Sequence, residues 1–248
     1  MGDALTGGLM SEVHEIADGI YRISHFDAGS APVEFTQFLI KDERPLLFHT
    51  GAKKLFPQTL EAVKRVIDPS LLAYISWSHL ESDECGALNE FLAVAPKAQA
   101  VHGQIGVMLS IDDSFSRPVR GLGDDEVLDL GKKKLRFLIT PHVPHAWDAI
   151  LVFEETTRTL FCSDLFTVFG KPPPVTEGDI IEQSMSALKQ LPGYLPVGPH
   201  TAQVFDRLIA LQPKVLAGHH SSAYTGHASQ ALRDLREELF KFAGAVHI

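Results

Sequence analysis

His79-Leu80-Glu81-Ser82-Asp83-Glu84 follows almost directly on the apolar run Leu71-Leu72-Ala73-Tyr74-Ile75-Ser76-Trp77. The run reads as a strand, and the polar stretch after it sets an imidazole and two carboxylates at alternate positions, 79, 81 and 83. In extended backbone, residues i, i+2 and i+4 point to the same side. The spacing therefore predicts that His79, Glu81 and Asp83 converge on one or two metal ions with no helix to organise them. A His and two acids in one short loop are common on soluble proteins, so ligands from elsewhere must carry the inference.

Three later stretches supply them: Thr140-Pro141-His142-Val143-Pro144-His145-Ala146-Trp147-Asp148, Phe161-Cys162-Ser163-Asp164, and Leu216-Ala217-Gly218-His219-His220-Ser221-Ser222-Ala223-Tyr224. Each places His or Asp at the end of an apolar run. Ligands delivered from several strand ends are how a rigid scaffold builds a metal site.

The order of these segments resembles the metallo-β-lactamase superfamily, and specifically the diiron domain of flavodiiron proteins, over roughly residues 12–240. Zinc hydrolases of that superfamily carry H-x-H-x-D-H, whereas the flavodiiron pattern H-x-E-x-D is reproduced by His79, Glu81 and Asp83. His145, followed three residues on by Asp148, is similar to the family's second segment. Asp164 resembles its bridging carboxylate, and His220, rather than His219, its closing ligand. The resemblance implies His79, Glu81 and His145 on one iron, Asp83 and His220 on the other, and Asp164 between them. It also implies an α/β fold, an αββα sandwich of two mixed β-sheets flanked by helices, and chain length and apolar content lead to the expectation of residues 1–248 as a single domain. The implied activity is a non-haem diiron centre that binds or reduces O2 or NO, as an oxidoreductase core or an oxygen sensor.

The chain departs from the family at several points. Glu84 stands where a second His normally follows the Asp; it is either an additional ligand or an acceptor for a ligand imidazole. Phe48-His49-Thr50-Gly51 stands where the superfamily has Asp-Thr-Gly, whose Asp supports the site. His142 rivals His145, since Pro141 and Pro144 stiffen a loop from which either ring reaches a metal. Flavodiiron proteins continue into a flavodoxin-like domain that holds FMN, so the expectation here is no FMN in this chain and a separate redox or signalling partner protein. Three imidazoles with three carboxylates suit non-haem iron, with zinc or manganese as alternatives. A dinuclear metal-dependent hydrolase of an ester, thioester, lactone or phosphodiester is the competing reading; Glu81 weighs against it, because a carboxylate lowers the Lewis acidity of its ion.

At 248 residues and 45% apolar content the chain can bury one sizeable core. Its formal charge of −9 argues against nucleic acid, since binding phosphates normally takes a basic surface. No apolar run approaches the roughly 20 residues of a membrane span, and no secretory signal opens the chain. The expectation is a cytoplasmic protein with no membrane association, and a homodimer by resemblance. Cys85 and Cys162 read as reduced thiols beside proposed ligands. Strands are predicted at 13–16, 20–23, 35–40, 45–48, 71–77, 135–140, 149–154, 159–162 and 215–217, and helices at 56–67, 86–95, 180–191 and 228–242. The Pro-rich segment 169–200 reads as a loop over the site mouth or as a connection between the halves. His14, His25, His102, His200, His227 and His247 read as surface or loop residues, and Trp77, Trp147, Phe166 and Tyr224 as pocket walls or plain core.

Overall fold

The computed structural model describes residues 11–29 and 32–246. One sheet holds β1 (Glu12–Ala17), β2 (Ile20–Asp27), β3 (Val33–Ile40), β4 (Leu46–Phe48), β5 (Tyr74–Ser76), β6 (Gln99–Gly103) and β7 (Arg120–Leu122), in that order across the sheet. The other holds β8 (Val127–Asp129), β9 (Lys134–Ile139), β10 (Ile150–Glu154), β11 (Thr159–Ser163), β12 (Val175–Thr176), β13 (Val215–Gly218) and β14 (Ala223–Tyr224), ordered β12-β14-β13-β11-β10-β9-β8. Both are mixed. β1 to β4 run antiparallel and β4 to β7 parallel, while β11 pairs parallel with β13 among otherwise mostly antiparallel neighbours.

Side-chain alternation explains the layering. Phe38 and Ile40 of β3, Leu46 and Phe48 of β4, Ile150 and Val152 of β10, and Phe161 of β11 share one core between the sheets. The residues between them face outward: Leu39 and Leu47 meet helices on one side, Leu151 and Leu160 on the other. Strands buried on both faces in this way lose the polar half of the alternation and read as continuous apolar runs. Phe161 sits at the centre, its ring 5.2 Å from Phe38 and 5.4 Å from Phe48. Truncating it to Ala costs about 3–5 kcal/mol.

The outer layers are amphipathic helices. α1 (Phe56–Lys64), α2 (Ser82–Cys85) and α3 (Leu88–Val94) lie on the first sheet's side, and a short turn of helix, α4 (Gln104–Gly106), follows β6. α5 (Ile181–Gln190), α6 (Thr201–Ala210) and α7 (Ala228–Val246) cover the second sheet. Along α7, Ala228, Ala231, Leu232, Leu235 and Leu239 enter the core at helical spacing. None of the described helices is long and apolar enough to cross a membrane. The expected αββα sandwich is the fold observed.

Several predicted elements shift. The strand expected at 71–77 begins only at Tyr74, because Pro69–Leu71 form a 3-10 turn that Asp68 caps by accepting from Ser70 N at 2.9 Å. The helix expected at 56–67 closes at Lys64, and that expected at 86–95 begins at Leu88. β6, β7, β8 and α6 have no counterpart in the sequence reading, their apolar runs being short. His25 and His102 are buried rather than superficial: His102 stacks on Trp77 at 4.7 Å with Nδ1 3.1 Å from the Trp77 carbonyl. His247 lies outside the described residues.

β4, β5, β11 and β13 each point their C-terminal ends toward one edge of the sandwich. There the chain releases His49, His79, Asp164 and His219-His220.

Candidate metal centre

Glu81 remains extended (φ −140°, ψ 152°), but the alternation stops there, because Ser82 opens α2. Asp83 therefore lies in a helical turn and does not join His79 and Glu81 along one extended face, which corrects the sequence reading. Two groups of donors result. The ligand atoms of His79, Glu81, His145 and Asp164 lie within 4.8 Å of one another, and so do those of Asp83, His219 and His220.

In the first group, His79 Nε2 is 2.9 Å from Glu81 Oε2 and 3.7 Å from Asp164 Oδ2. His145 Nε2 is 3.3 Å from the same Glu81 oxygen and 3.4 Å from Asp164 Oδ2. In the second, His220 Nε2 is 3.4 Å from Asp83 Oδ2 and 3.6 Å from Asp164 Oδ1. Asp164 thus turns one oxygen to each group. It is placed there by Ser163, whose left-handed backbone (φ 50°) breaks the β11 register and swings the next residue off the strand line.

The rings are oriented from behind. His145 Nδ1 donates to the Tyr194 carbonyl at 3.0 Å, and His220 Nδ1 donates to the Glu34 carbonyl at 2.9 Å. His79 Nδ1 lies 3.2 Å from Glu84 Oε2. Each Nε2 is left facing the carboxylates, which is how a metal-binding imidazole is usually fixed. The 79–81 loop is itself pinned, because Leu80 N donates to Asp148 Oδ2 at 2.9 Å.

Charge in the site is balanced by protons when no cation is bound. Burial alone would lower the His79 imidazole, but Glu84, the Glu81 hydrogen bond and Asp164 outweigh it and push it up to about 10. Burial is likewise overcome at His220, which the Asp83 hydrogen bond and Asp164 push up to about 9. Hydrogen bonds from His145 and then His79 hold the Glu81 carboxyl far below the usual carboxylate range. Buried Asp164 Oδ1 has no hydrogen-bond partner. An unpaired buried carboxylate oxygen is expensive, and a cation held between the two groups satisfies it. The residues present fit a pair of metal ions.

Glu84 faces away from these Nε2 atoms. Its Oε1 accepts from Ser78 Oγ at 2.5 Å and Ser163 Oγ at 3.0 Å, and its Oε2 from His79 N at 2.8 Å. His49 Nε2 and His219 Nδ1 stand 3.5 Å and 3.4 Å from Oε1. His49, Glu84 and His219 thus form a third, fully buried group behind the first two. Burial lowers the His49 imidazole to about 3. Burial would raise Glu84, but the surrounding imidazoles, His49 and His79 foremost, hold it well below its ordinary value.

His142 is exposed and belongs to none of the three groups; its backbone N donates to the Ala146 carbonyl. Trp147 is exposed, whereas Trp77, Phe166 and Tyr224 are core. The Pro-rich segment touches the site through Tyr194, whose ring lies 4.7 Å from that of His145. Tyr194, Ser78, Ser163 and Phe35, whose ring stands 5.3 Å from His220, are site residues that sequence reasoning missed. Of these, Ser78 and Ser163 carry a signal, being adjacent to His79 and Asp164. Cys85 donates to the Glu81 carbonyl at 3.1 Å, and burial followed by Glu84 pushes its thiol up to about 12; burial also raises Cys162.

The family model described as ODP family beta lactamase matches residues 33–221, a span that carries all three groups. Flavo-diiron protein FprA2 of Clostridium acetobutylicum is 26% identical over 217 residues, 83% of this chain and 54% of that protein. The chain thus spans about half the length of this curated relative. Rubredoxin oxygen:oxidoreductase from Desulfovibrio gigas shares the fold with a TM-score of 0.81 at 20% identity, over 91% of this chain and 61% of that one. The metal-soaked Flv1 flavodiiron core from Synechocystis gives 0.78 at 18% identity, over 92% and 60%.

Proposed function

The chain belongs to the ODP beta-lactamase family, and from that premise we propose that it is a non-haem diiron protein that binds or reduces O2 or NO, as an oxidoreductase core or an oxygen sensor. The observation that carries this reading is Asp164, with one oxygen toward His79 and His145 and the other toward His220. His79, Glu81 and His145 would hold one iron, Asp83 and His220 the other, with Asp164 within reach of both. Bound iron supplies one-electron redox change and a coordination position for a diatomic gas. The protein supplies the rest: Tyr194 and Glu34 fix two rings through their carbonyls, and Glu84 faces the third. Glu81 and His145 form the rim that meets solvent.

The same donors accept zinc or manganese. Redox chemistry is preferred to hydrolysis because Glu81 replaces a neutral imidazole and because relatives carry names such as flavo-diiron protein. In this reading the centre takes electrons from a redox donor, or its oxidised state is read by a signalling partner.

The test is metal content by mass spectrometry on protein produced with iron and purified without air. About two irons per chain, lost in Asp164→Ala, are expected. Sustained O2 consumption with a reductant then identifies a reductase, and a single stoichiometric oxidation a sensor. Two zincs despite abundant iron, with ester hydrolysis, overturn the redox reading; no metal overturns it entirely.

A further inference from the structure

We propose that His219 is a metal ligand on the His220 side of the centre and that Glu84 is the carboxylate that orients it; the assignment rests on the diiron reading above. The two sides are unequal without it. One side has His79, Glu81 and His145 in addition to Asp164, while the other has Asp83 and His220 in addition to the same Asp164. The residue after Asp83 is Glu84, and its carboxylate is already occupied by Ser78, Ser163 and the backbone and ring of His79.

His219 has what the deficient side lacks. Its ligand atom lies within 4.8 Å of those of Asp83 and His220. The side chain is fully buried, and while Nδ1 faces Glu84, Nε2 has no hydrogen-bond partner. Burying a polar ring nitrogen unmet costs free energy that a native site seldom leaves unrecovered. The ring repeats the arrangement of its neighbours. His79 Nδ1 faces one oxygen of Glu84 and His219 Nδ1 faces the other, at 3.4 Å, so that a single carboxylate stands behind one imidazole on each side. The ring is fixed in place, its backbone N donating to the Ser163 carbonyl at 2.8 Å and its plane packing 4.5 Å from His49 and 4.2 Å from His220.

The competing use of the same residues is a separate ion held by His49, Glu84 and His219. Glu84 argues against it. An ionised carboxylate has about four lone-pair sites, and two serine hydroxyls, a backbone N–H and the His79 ring approach them. With the His49 and His219 rings also turned to Oε1, at 3.5 Å and 3.4 Å, Glu84 is surrounded by groups that donate to it, and it orients imidazoles rather than holding a cation.

The test needs no mutation. In zinc-loaded protein labelled with 15N-histidine, multiple-bond 1H–15N correlations distinguish metal-bound ring nitrogens. Metal binding by His79, His145, His219 and His220 is expected, His219 through Nε2; a His219 ring that remains metal-free overturns the assignment. A second measurement uses His219→Gln, checked for native fold by circular dichroism, in chelator competition. Loss of about 10-fold or more in affinity for one metal, with the other unchanged, supports the assignment; two metals held as tightly as in the parent protein overturn it. If the parent protein itself holds no pair of metals, the diiron reading falls, and the assignment with it.

Discussion

Two groups of imidazoles and carboxylates meet at His79, one open and one closed. On the open side Glu81 has 49% of its side chain exposed, and His145 also reaches water. On the closed side His49, Glu84 and His219 are all but inaccessible. Both carboxylates stay ionised, by different means. Glu81 is held down directly by hydrogen bonds from His145 and His79, whereas Glu84 is held down against its own burial by the imidazoles packed round it. A half-exposed carboxylate can exchange its imidazole partners for a cation with little rearrangement. A buried one that receives two hydroxyls and a backbone N–H cannot leave its partners, so it acts as scaffold.

Removing the closed carboxylate should do the most damage. Glu84→Ala strands the Ser78 and Ser163 hydroxyls and His79 N in a sealed space, and a loss of about 3–5 kcal/mol is expected in denaturant unfolding of the metal-free protein. A loss below about 1 kcal/mol would erase the distinction between the two groups.

The next effect is on pH. His79 and His220 sit at about 10 and about 9 in the folded chain, above the ordinary 6.5. The stability their protonation contributes is complete below about 6.5 and is lost as pH rises through 9 and 10. The Tm of metal-free protein should therefore fall between pH 7 and 10. Metal replaces these protons, so apparent metal affinity should rise over the same interval. Calorimetry at several pH values, with and without metal, checks both; a metal-free Tm that climbs with pH would contradict the charge assignment.

The smallest stability effect belongs to the open side. Glu81→Ala should change the unfolding free energy by no more than about 1 kcal/mol, yet remove the metal held with His79 and His145. Retention of both metals in this variant would leave Glu81 a rim residue.

Much of this was legible in the sequence because the His- and Asp-bearing segments end apolar strands and keep their order. His79, Glu81, His145, Asp164 and His220 all come together at one edge. The local geometry was less legible. Ser82-Asp83-Glu84 reads equally as the acidic first turn of a helix, which the positive end of the helix dipole favours, and that turn carries Asp83 to His220. Gly86 lets the turn close, since a Cβ there would meet the Ser82 carbonyl at 2.2 Å. Glu84 and His219 could not be paired by reading along the chain, because they meet only once the two sheets pack. Tyr194 lies in a Pro-rich stretch with no periodicity and contributes a carbonyl, which no side-chain motif records. His25 and His102 look superficial for the same reason: tertiary packing, not local pattern, buries them.

The two buried thiols set how the protein ages. Oxidants attack the thiolate, and burial keeps Cys85 and Cys162 protonated. Among the described sulfurs the vulnerable one is Met108, 71% exposed, where oxidation gives a sulfoxide that reductases reverse. Among the described residues, oxidative wear thus begins at a repairable surface position, and the two buried cysteine sulfurs are spared.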